Sequence, residues 1–454
     1  MTDLSGRTCV LAYSGGLDTS VAVAWLRETH GLEVVTVTGD LGSVGDLDQV
    51  RDKAVRSGAR RAVVVDAREP FVRYFVWPAL HADALYQGRY PLATALGRPL
   101  LAKLLVDVAR EEGATYVAHG STGKGNDQVR FDLSVAALAP DLTVIAPLRS
   151  GMNMTRDEEI DYARKRGIPV PATKKSPYSV DENLWGRSIE AGVLEDPWEA
   201  PPPDVFQWTV DPDEAPAKPR EIVVGFREGT PETLDGEASD GVTLVEKLNA
   251  IAGKHGVGRI DQVEDRLVGI KSREIYEAPA AIVLHTAHRA LEDMVLPRES
   301  LRFKERIASE YAELVYNGLW FSSHHQDLSA YIRSTQRYVT GEIRVRLHRG
   351  NVTVVGRRSD NALYSHALAT YGKGDAFDQK AAEGFIQIYG LSLRNQARLQ
   401  GLSSGETSMP LTLPAKSGSG AKGTESPGSG SKSSPRRGAT RGGHPKRPGA
   451  PKRA

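Results

Sequence analysis

The stretch that decides the fold is Thr8-Cys9-Val10-Leu11-Ala12-Tyr13-Ser14-Gly15-Gly16-Leu17-Asp18-Thr19-Ser20. Its first five residues are an apolar run of strand length, and Val21 to Arg27 reads as a helix. A strand that passes through a glycine-bearing turn into a helix N-terminus builds an anion site from backbone N–H groups and the helix dipole. Gly15 and Gly16 let the main chain come close to a ligand and take φ angles closed to other residues. Ser14, Thr19 and Ser20 add hydroxyls beside it. The loop is not a Walker A motif, which requires a lysine on the phosphates; none occurs between Thr8 and Ser20.

Outward from this loop, residues 7 to about 170 alternate short apolar runs with helical patterns. The runs Thr8–Ala12, Val34–Thr38, Ala62–Asp66, Thr115–Ala118 and Thr143–Ala146 are continuous, as in strands buried on both faces. Leu100, Leu101, Leu104, Leu105 and Val108 mark a helix between them. This βαβ rhythm predicts a doubly wound parallel sheet, the nucleotide-binding domain of an α/β protein, over 1–170. Ligands of such sheets bind at the carboxyl ends of strands. The turns Gly39-Asp40-Leu41-Gly42 and His119-Gly120 follow strands, as the opening loop does.

Around Pro169-Val170-Pro171 and Pro201-Pro202-Pro203 the alternation stops, which marks a domain change near 170. Residues 171–384 read as an α+β domain with an antiparallel sheet. Glu221–Phe226 is a strand. Leu244, Val245, Leu248, Ile251 and Ala252 define one amphipathic helix; Phe303, Ile307, Tyr311, Leu314 and Val315 define another. Glu342–His348 and Val352–Arg358 alternate around Arg349-Gly350-Asn351, a hairpin signal. Residues 385–402 form a C-terminal helix region with Leu391–Leu399 as its helix. From Ser403 to Ala454 the chain is Gly, Ser, Pro, Lys and Arg with almost no apolar residue, a composition expected to stay disordered.

Of the 454 residues 40% are hydrophobic, and no apolar run approaches the length of a membrane span or the pattern of a signal peptide. A cytoplasmic protein is expected. The single cysteine, Cys9, excludes an internal disulfide framework. The formal net charge of +1 hides an asymmetry: the basic tail holds only Glu406 and Glu425 as acids, so the rest is net acidic. The tail without aromatics or a recognisable motif is a weak nucleic-acid arm at most. His324-His325 and the pair His285/His288 lack acidic or cysteine partners at ligand spacing, so no metal site is assigned to them. No Ser-His-Asp or Cys-His arrangement supplies a nucleophile.

Four more stretches carry polar chemistry. In His119-Gly120-Ser121-Thr122-Gly123-Lys124-Gly125-Asn126-Asp127-Gln128-Val129-Arg130-Phe131, three glycines in six residues make a close-approach loop. Lys124 offers a point charge, Asp127 a carboxylate for an ammonium group, and Arg130 a partner for a carboxylate. Gly88 to Pro99 is a loop leading into a helix, with the Tyr90 and Thr94 hydroxyls near the helix start. Ser176 to Ser188 reads as a turn and a short helix start, with Ser179 as a capping residue. Gly253 to Asp265 reads as a glycine-rich polar loop whose Glu264 is a surface carboxylate, followed by Ser272 to Glu277.

The form Ser-Gly-Gly-x-Asp-Thr at 14–19 resembles the PP-loop of the adenylating ATP pyrophosphatases. The nonapeptide Ala12–Ser20, taken with the other four stretches in the same order, resembles the argininosuccinate synthases over roughly residues 7–400. The resemblance implies condensation of ATP, L-citrulline and L-aspartate to AMP, pyrophosphate and argininosuccinate through a citrullyl-adenylate. It implies ATP at Ala12, Tyr13, Ser14, Gly15, Gly16, Leu17, Asp18, Thr19, Ser20, Gly39 and Gly120, with Asp18 catalytic and helping to place Mg²⁺ on the phosphates. Citrulline falls to Tyr90, Asn126, Arg130, Ser179, Ser188, Glu264 and Tyr276, and aspartate to Thr122, Asn126 and Asp127. A homotetramer is implied as well. Two positions depart from the family pattern: Thr94-Ala95 stands where Thr-Ser is expected, and Gly39 where alanine is common.

Two other classes compete. A PP-loop thiolase needs working cysteines, which Cys9 alone cannot provide, and an amidating synthetase needs a glutaminase module, which is not evident. A nucleotide- or RNA-binding protein without turnover fits the basic tail but leaves the amino-acid stretches unexplained.

Overall fold

A computed structural model describes residues 4–43, 45–149, 151–169 and 178–401. The proposed domain change at 170/171, Ser176, Pro177 and the tail from Ser403 lie outside the described residues. By contacts the chain divides into two units, Met1–Ala376 and Phe377–Ala454.

The first half of the larger unit runs β1 (Thr8–Ala12), α1 (Leu17–His30), β2 (Glu33–Asp40), α2 (Leu47–Arg56), β3 (Arg61–Asp66), α3 (Arg68–Phe71), a π-helical turn, α4 (Trp77–Ala82), α5 (Ala93–Glu111), β4 (Tyr116–Ala118), α6 (Asp127–Leu138), β5 (Thr143–Ile145) and α7 (Arg156–Lys165). The five strands are parallel in the order β3-β2-β1-β4-β5. The expected doubly wound sheet is therefore present. Successive strands are added on one side of β1 and then on the other, so the switch point falls between β1 and β4, where ligands of open α/β sheets bind. One face buries Leu11, Val21, Val23 and Leu26 with Ala163 of α7. The other buries Val10, Val35 and Val37 against Leu105 and Val108 of α5 and Phe131 of α6.

The second half contains two antiparallel sheets. One has the order β11 (Arg259–Asp265), β12 (Lys271–Glu277), β7 (Gly186–Glu190), β6 (Ser179–Asn183). The other has the order β10 (Glu237–Ala238), β9 (Thr230–Leu234), β8 (Arg220–Arg227), β13 (Gly341–His348), β14 (Asn351–Arg358). Helices α8 (Gly241–Lys254), α9 (Pro279–Val295), α10 (Arg298–Tyr316) and α11 (Ser323–Thr335) complete a core shared with α4 and the start of α5. The β13–β14 hairpin closes through Arg349 (φ 45°) and Gly350 (φ 80°), a two-residue turn of the primed type that matches strand twist. A short α12 (His366–Ala369) follows.

The 176–188 stretch departs from expectation. Ser179 caps no helix; it opens β6, which pairs with β7 and brings Ser188 opposite Tyr276 of β12. Tertiary pairing overrides the turn-like local sequence here. Residues 255–258 are a turn, and Glu264 lies in a strand rather than a loop.

The described part of the smaller unit is α13 (Ala381–Tyr389) and α14 (Leu391–Gln400), neither with a buried residue. The expected helix at 391–399 is present, and Phe385 to Ile388 belongs to a second one. Among the described residues no helix is long and apolar enough to cross a membrane.

Candidate functional site

The loop after β1 is stitched together by its own hydroxyls. Gly15 carries the positive φ (76°) that the turn requires. Gly16 N donates to Ser14 Oγ at 3.3 Å, Ser20 Oγ donates to Gly16 O at 2.7 Å, and the Tyr13 and Ser20 hydroxyls lie 2.8 Å apart. Thr38 of β2 donates to Tyr13 O at 2.7 Å. Gly16 precedes α1 without a side-chain cap, so the first N–H groups of α1 lack an internal acceptor. Ser14 and Gly16 are exposed, while Leu17, Thr19 and Ser20 are buried. Sequence reading missed Lys53, whose Nζ reaches from α2 to donate to Gly15 O at 2.6 Å. Burial, then the nearby Arg56, pushes its ammonium pKa down.

Asp18, the second residue of α1, pairs with Arg156 of α7 at 2.5 Å. Arg156 also lies 3.7 Å from Glu159. Burial and the neighbouring Asp18 push the Glu159 carboxyl up to about 7. Gly120, at the end of the adjacent β4, packs so closely that a Cβ there would stand 2.9 Å from Thr19 Cγ2. Gly39 faces the other way: a Cβ would meet Leu101 and Leu104 of α5 at 2.7 and 2.8 Å.

A separate cleft of about 110 Å³ is lined by Tyr90, Asn126, Asp127, Arg130, Ser179, Ser188, Glu264 and Tyr276, together with Thr94, Asp181, Glu190, Arg266, Glu274 and Tyr316. All seven residues expected at citrulline therefore meet in one place, with two of the three expected at aspartate. Thr122 is exposed on the loop after β4 and does not line the cleft. Ala95 is fully buried in the core, so the hydroxyl expected there would not face this cleft; Thr94 does, 2.8 Å from Ser188 Oγ.

The cleft is a network of paired charges and hydroxyls. Glu264 is 3% exposed and accepts from Tyr276 and Tyr316, each at 2.5 Å. Burial raises its pKa, and the two hydroxyls only partly offset that. Asn126 uses both ends of its amide: Nδ2 donates to Tyr316 Oη at 2.8 Å, and Oδ1 accepts from Leu267 N at 2.9 Å. Asp127 pairs with Arg98 at 2.8 Å and Arg130 at 2.9 Å. Burial alone would raise the Asp127 carboxyl, but the two guanidiniums outweigh it and hold it below its usual value. Arg266 pairs with Glu190 and, at 2.7 Å, with Glu274. Burial and Glu190 push the Glu274 carboxyl up to about 7. Tyr90 stacks on Tyr276 and Tyr86 on Tyr316, with ring centroids 4.0 and 3.5 Å apart. Tyr90 Oη also accepts from Thr94 N at 2.9 Å and so caps the first turn of α5.

Arg98, Tyr316, Glu190, Arg266 and Glu274 escaped sequence reading because nothing local distinguishes them from surface charges or a core tyrosine. Arg130 reaches Tyr316 O at 2.9 Å across 186 residues of chain, a pairing no spacing rule anticipates.

A family model described as "Arginosuccinate synthase N-terminal HUP domain" matches residues 8–169, and one described as "Arginosuccinate synthase C-terminal domain" matches 178–396. The chain is 59% identical over 394 residues to a protein named argininosuccinate synthase from Rubrobacter xylanophilus, covering 87% of this chain and 96% of that one. It is 56% identical over 398 residues to the one from Symbiobacterium thermophilum, covering 87% and 99%. Among solved structures, a predicted tRNA methyltransferase subunit from Methanocaldococcus jannaschii aligns at 15% identity and TM-score 0.24, over 35% of this chain and 76% of that one. That likeness is too slight to inform the fold. The two matched halves together take in the loop after β1 and every residue of the cleft, and the chain belongs to the argininosuccinate synthase family, the ligases of arginine biosynthesis.

Proposed function

We propose that the loop and the cleft together condense L-citrulline with L-aspartate through a citrullyl-adenylate. The ureido oxygen attacks the α-phosphorus of ATP and pyrophosphate leaves. The aspartate amine then attacks the ureido carbon, sheds a proton, and displaces AMP. The observation that carries this reading is the meeting, in one cleft, of residues expected at citrulline and aspartate from stretches far apart in sequence.

Catalysis in this scheme is positioning and charge stabilisation rather than covalent chemistry. Ala12 to Ser20 hold the pyrophosphate end of ATP, with Gly39 and Gly120 beside the nucleotide. Tyr90, Asn126, Arg130, Ser179, Ser188, Glu264 and Tyr276 hold citrulline. Asp127, kept ionised by Arg98 and Arg130, suits the aspartate ammonium group, with Asn126 and Thr122 as further contacts.

Among the described residues no group of three or more His, Cys, Asp or Glu could hold a metal ion. An ion carried on phosphates needs little from the protein, since Mg²⁺ commonly takes one or two carboxylates plus substrate oxygens. Asp18, half-exposed at the loop, is the carboxylate that would meet it. Mg²⁺ there would neutralise phosphate charge.

We also propose a cytoplasmic homotetramer, with 1–170 as nucleotide domain, 171–384 as synthetase domain, 385–402 as oligomerisation helices, and the basic tail 403–454 as a weak nucleic-acid candidate at most. The test of the reaction is to supply ATP, Mg²⁺, citrulline and aspartate and measure AMP and pyrophosphate. Both should appear only with citrulline present, and Asp18→Ala should abolish them in a folded protein. Citrulline-independent release, or ADP and phosphate as products, would overturn the scheme.

A further inference from the structure

The loop after β1 carries no lysine, yet pyrophosphate is among the most highly charged groups a protein handles. Among the described residues, two cations reach the loop from elsewhere. Lys53 is committed to the Gly15 carbonyl at 2.6 Å. Arg156 is held differently, by Asp18 at 2.5 Å and Glu159 at 3.7 Å.

Arg156 is misplaced by local rules. It is the first residue of α7, where the helix dipole disfavours a cation. The helix start is otherwise built for negative charge: Thr155 and Glu158 form a capping box, and Asp157, Glu158 and Glu159 fill the first turn. A residue that breaks a local rule without stabilising its own element is a candidate for function.

Its partnership with Asp18 is also easily exchanged. Both side chains are 44% exposed, and ion pairs this exposed contribute little to stability. A guanidinium can bridge two phosphate oxygens, which makes phosphate a good alternative partner.

We propose that Arg156 is the pyrophosphate-binding cation of this protein, exchanging the Asp18 carboxylate for phosphate oxygens when nucleotide enters. The inference rests on the reading of the loop as the pyrophosphate site. In the free protein Arg156 neutralises Asp18, so two carboxylates do not stand uncompensated beside an anion site. In the complex it faces the departing group, while Lys53 keeps the Gly15 carbonyl engaged. Arg156 would thereby help both to hold ATP and to stabilise pyrophosphate as it leaves.

The test uses the full chain with Mg²⁺ and inorganic pyrophosphate or AMP as probes, titrated calorimetrically. Arg156→Gln is expected to weaken pyrophosphate at least tenfold and to leave AMP within twofold. Unchanged pyrophosphate affinity overturns the proposal while the loop reading stands. If the unmodified protein does not bind pyrophosphate, the loop reading falls and takes the proposal with it. A second measurement needs no variant. Modification of Arg156 by phenylglyoxal, followed by peptide mass spectrometry, should be suppressed by pyrophosphate and not by AMP; equal labelling with and without pyrophosphate overturns it.

Discussion

The loop after β1 and the cleft beside β12 solve the same problem, recognition of a polar ligand, by opposite means. The loop is one continuous stretch whose surface is made largely of backbone groups and glycine conformations. The cleft is assembled from β6, β7, β11, β12, the starts of α5 and α6, and the end of α10. There the side chains neutralise one another before any ligand arrives. In such a loop, its charged Asp18 aside, the loss of a neighbouring hydroxyl is tolerated but a change of backbone conformation is not. A site made of paired side chains fails when one member is removed, because its partner remains buried and unpaired.

Four experiments press on this contrast. The largest effect is expected from Asp127→Ala, which leaves the 3%-exposed Arg130 without its carboxylate and Arg98 with Asp181 alone. It should cost about 3–5 kcal/mol in urea unfolding, as for broken buried pairs, and abolish argininosuccinate formation. Near-normal stability would mean that the cleft charges are screened by water. Gly15→Ala comes next. A Cβ has room, with Val50 at 3.5 Å, but the φ of 76° is strained for alanine. The strain is about 1–2 kcal/mol, and the KM for ATP should rise at least tenfold. In contrast, Ser14→Ala should raise it only a few-fold; equal losses from both would make the loop a side-chain site after all.

Tyr316→Phe removes one of two hydroxyls on Glu264 and a partner of Asn126. It should destabilise by about 1–3 kcal/mol, the cost of leaving buried polar groups unsatisfied, and raise the KM for citrulline more than that for ATP. The smallest effect is one of pH. Glu274 has its pKa raised to about 7 in the folded chain, from an ordinary value of 4.5. A raised carboxyl pKa stabilises the fold below the unfolded value, and that stability is lost as pH rises through the folded value. Unfolding followed from pH 4 to 8 should therefore show a decline between about 4.5 and 7 that Glu274→Gln reduces, the remainder belonging to Glu159. An unchanged slope would mean that Arg266 keeps the carboxylate ionised throughout.

The same contrast explains what could be read from sequence. Thr8–Ala12 ends where its apolar run ends, and the glycines and hydroxyls of the loop are adjacent in sequence, so local physics suffices. The cleft shows the limit. In β11, Gln262 and Glu264 are 6% and 3% exposed while Val263 between them is 51% exposed. The strand turns its polar face inward and its apolar residue out, the reverse of ordinary patterning. Read alone, Asp261 to Asp265 looks like a solvated loop. The place of Ser179 depends on the neighbouring β7 and, through it, on β12, which lies far along the chain. Resemblance to a family supplied those residues, and their partners Arg98, Tyr316 and Arg266 needed the fold itself.

Helix α5 has a consequence that belongs to neither site alone. Its first turn presents Thr94 to the cleft and is capped by Tyr90, while about two to three turns further on Leu101 and Leu104 press on Gly39 of β2. The 19-residue helix is about 28 Å long, with Pro99 inside it between these two contacts. Gly39 leaves no side chain to cushion it, so a shift of α5 is felt directly by β2. Any free energy of coupling carried along this helix between the cleft and β2 is mutual by linkage: whatever one end imposes on the other is returned in equal measure.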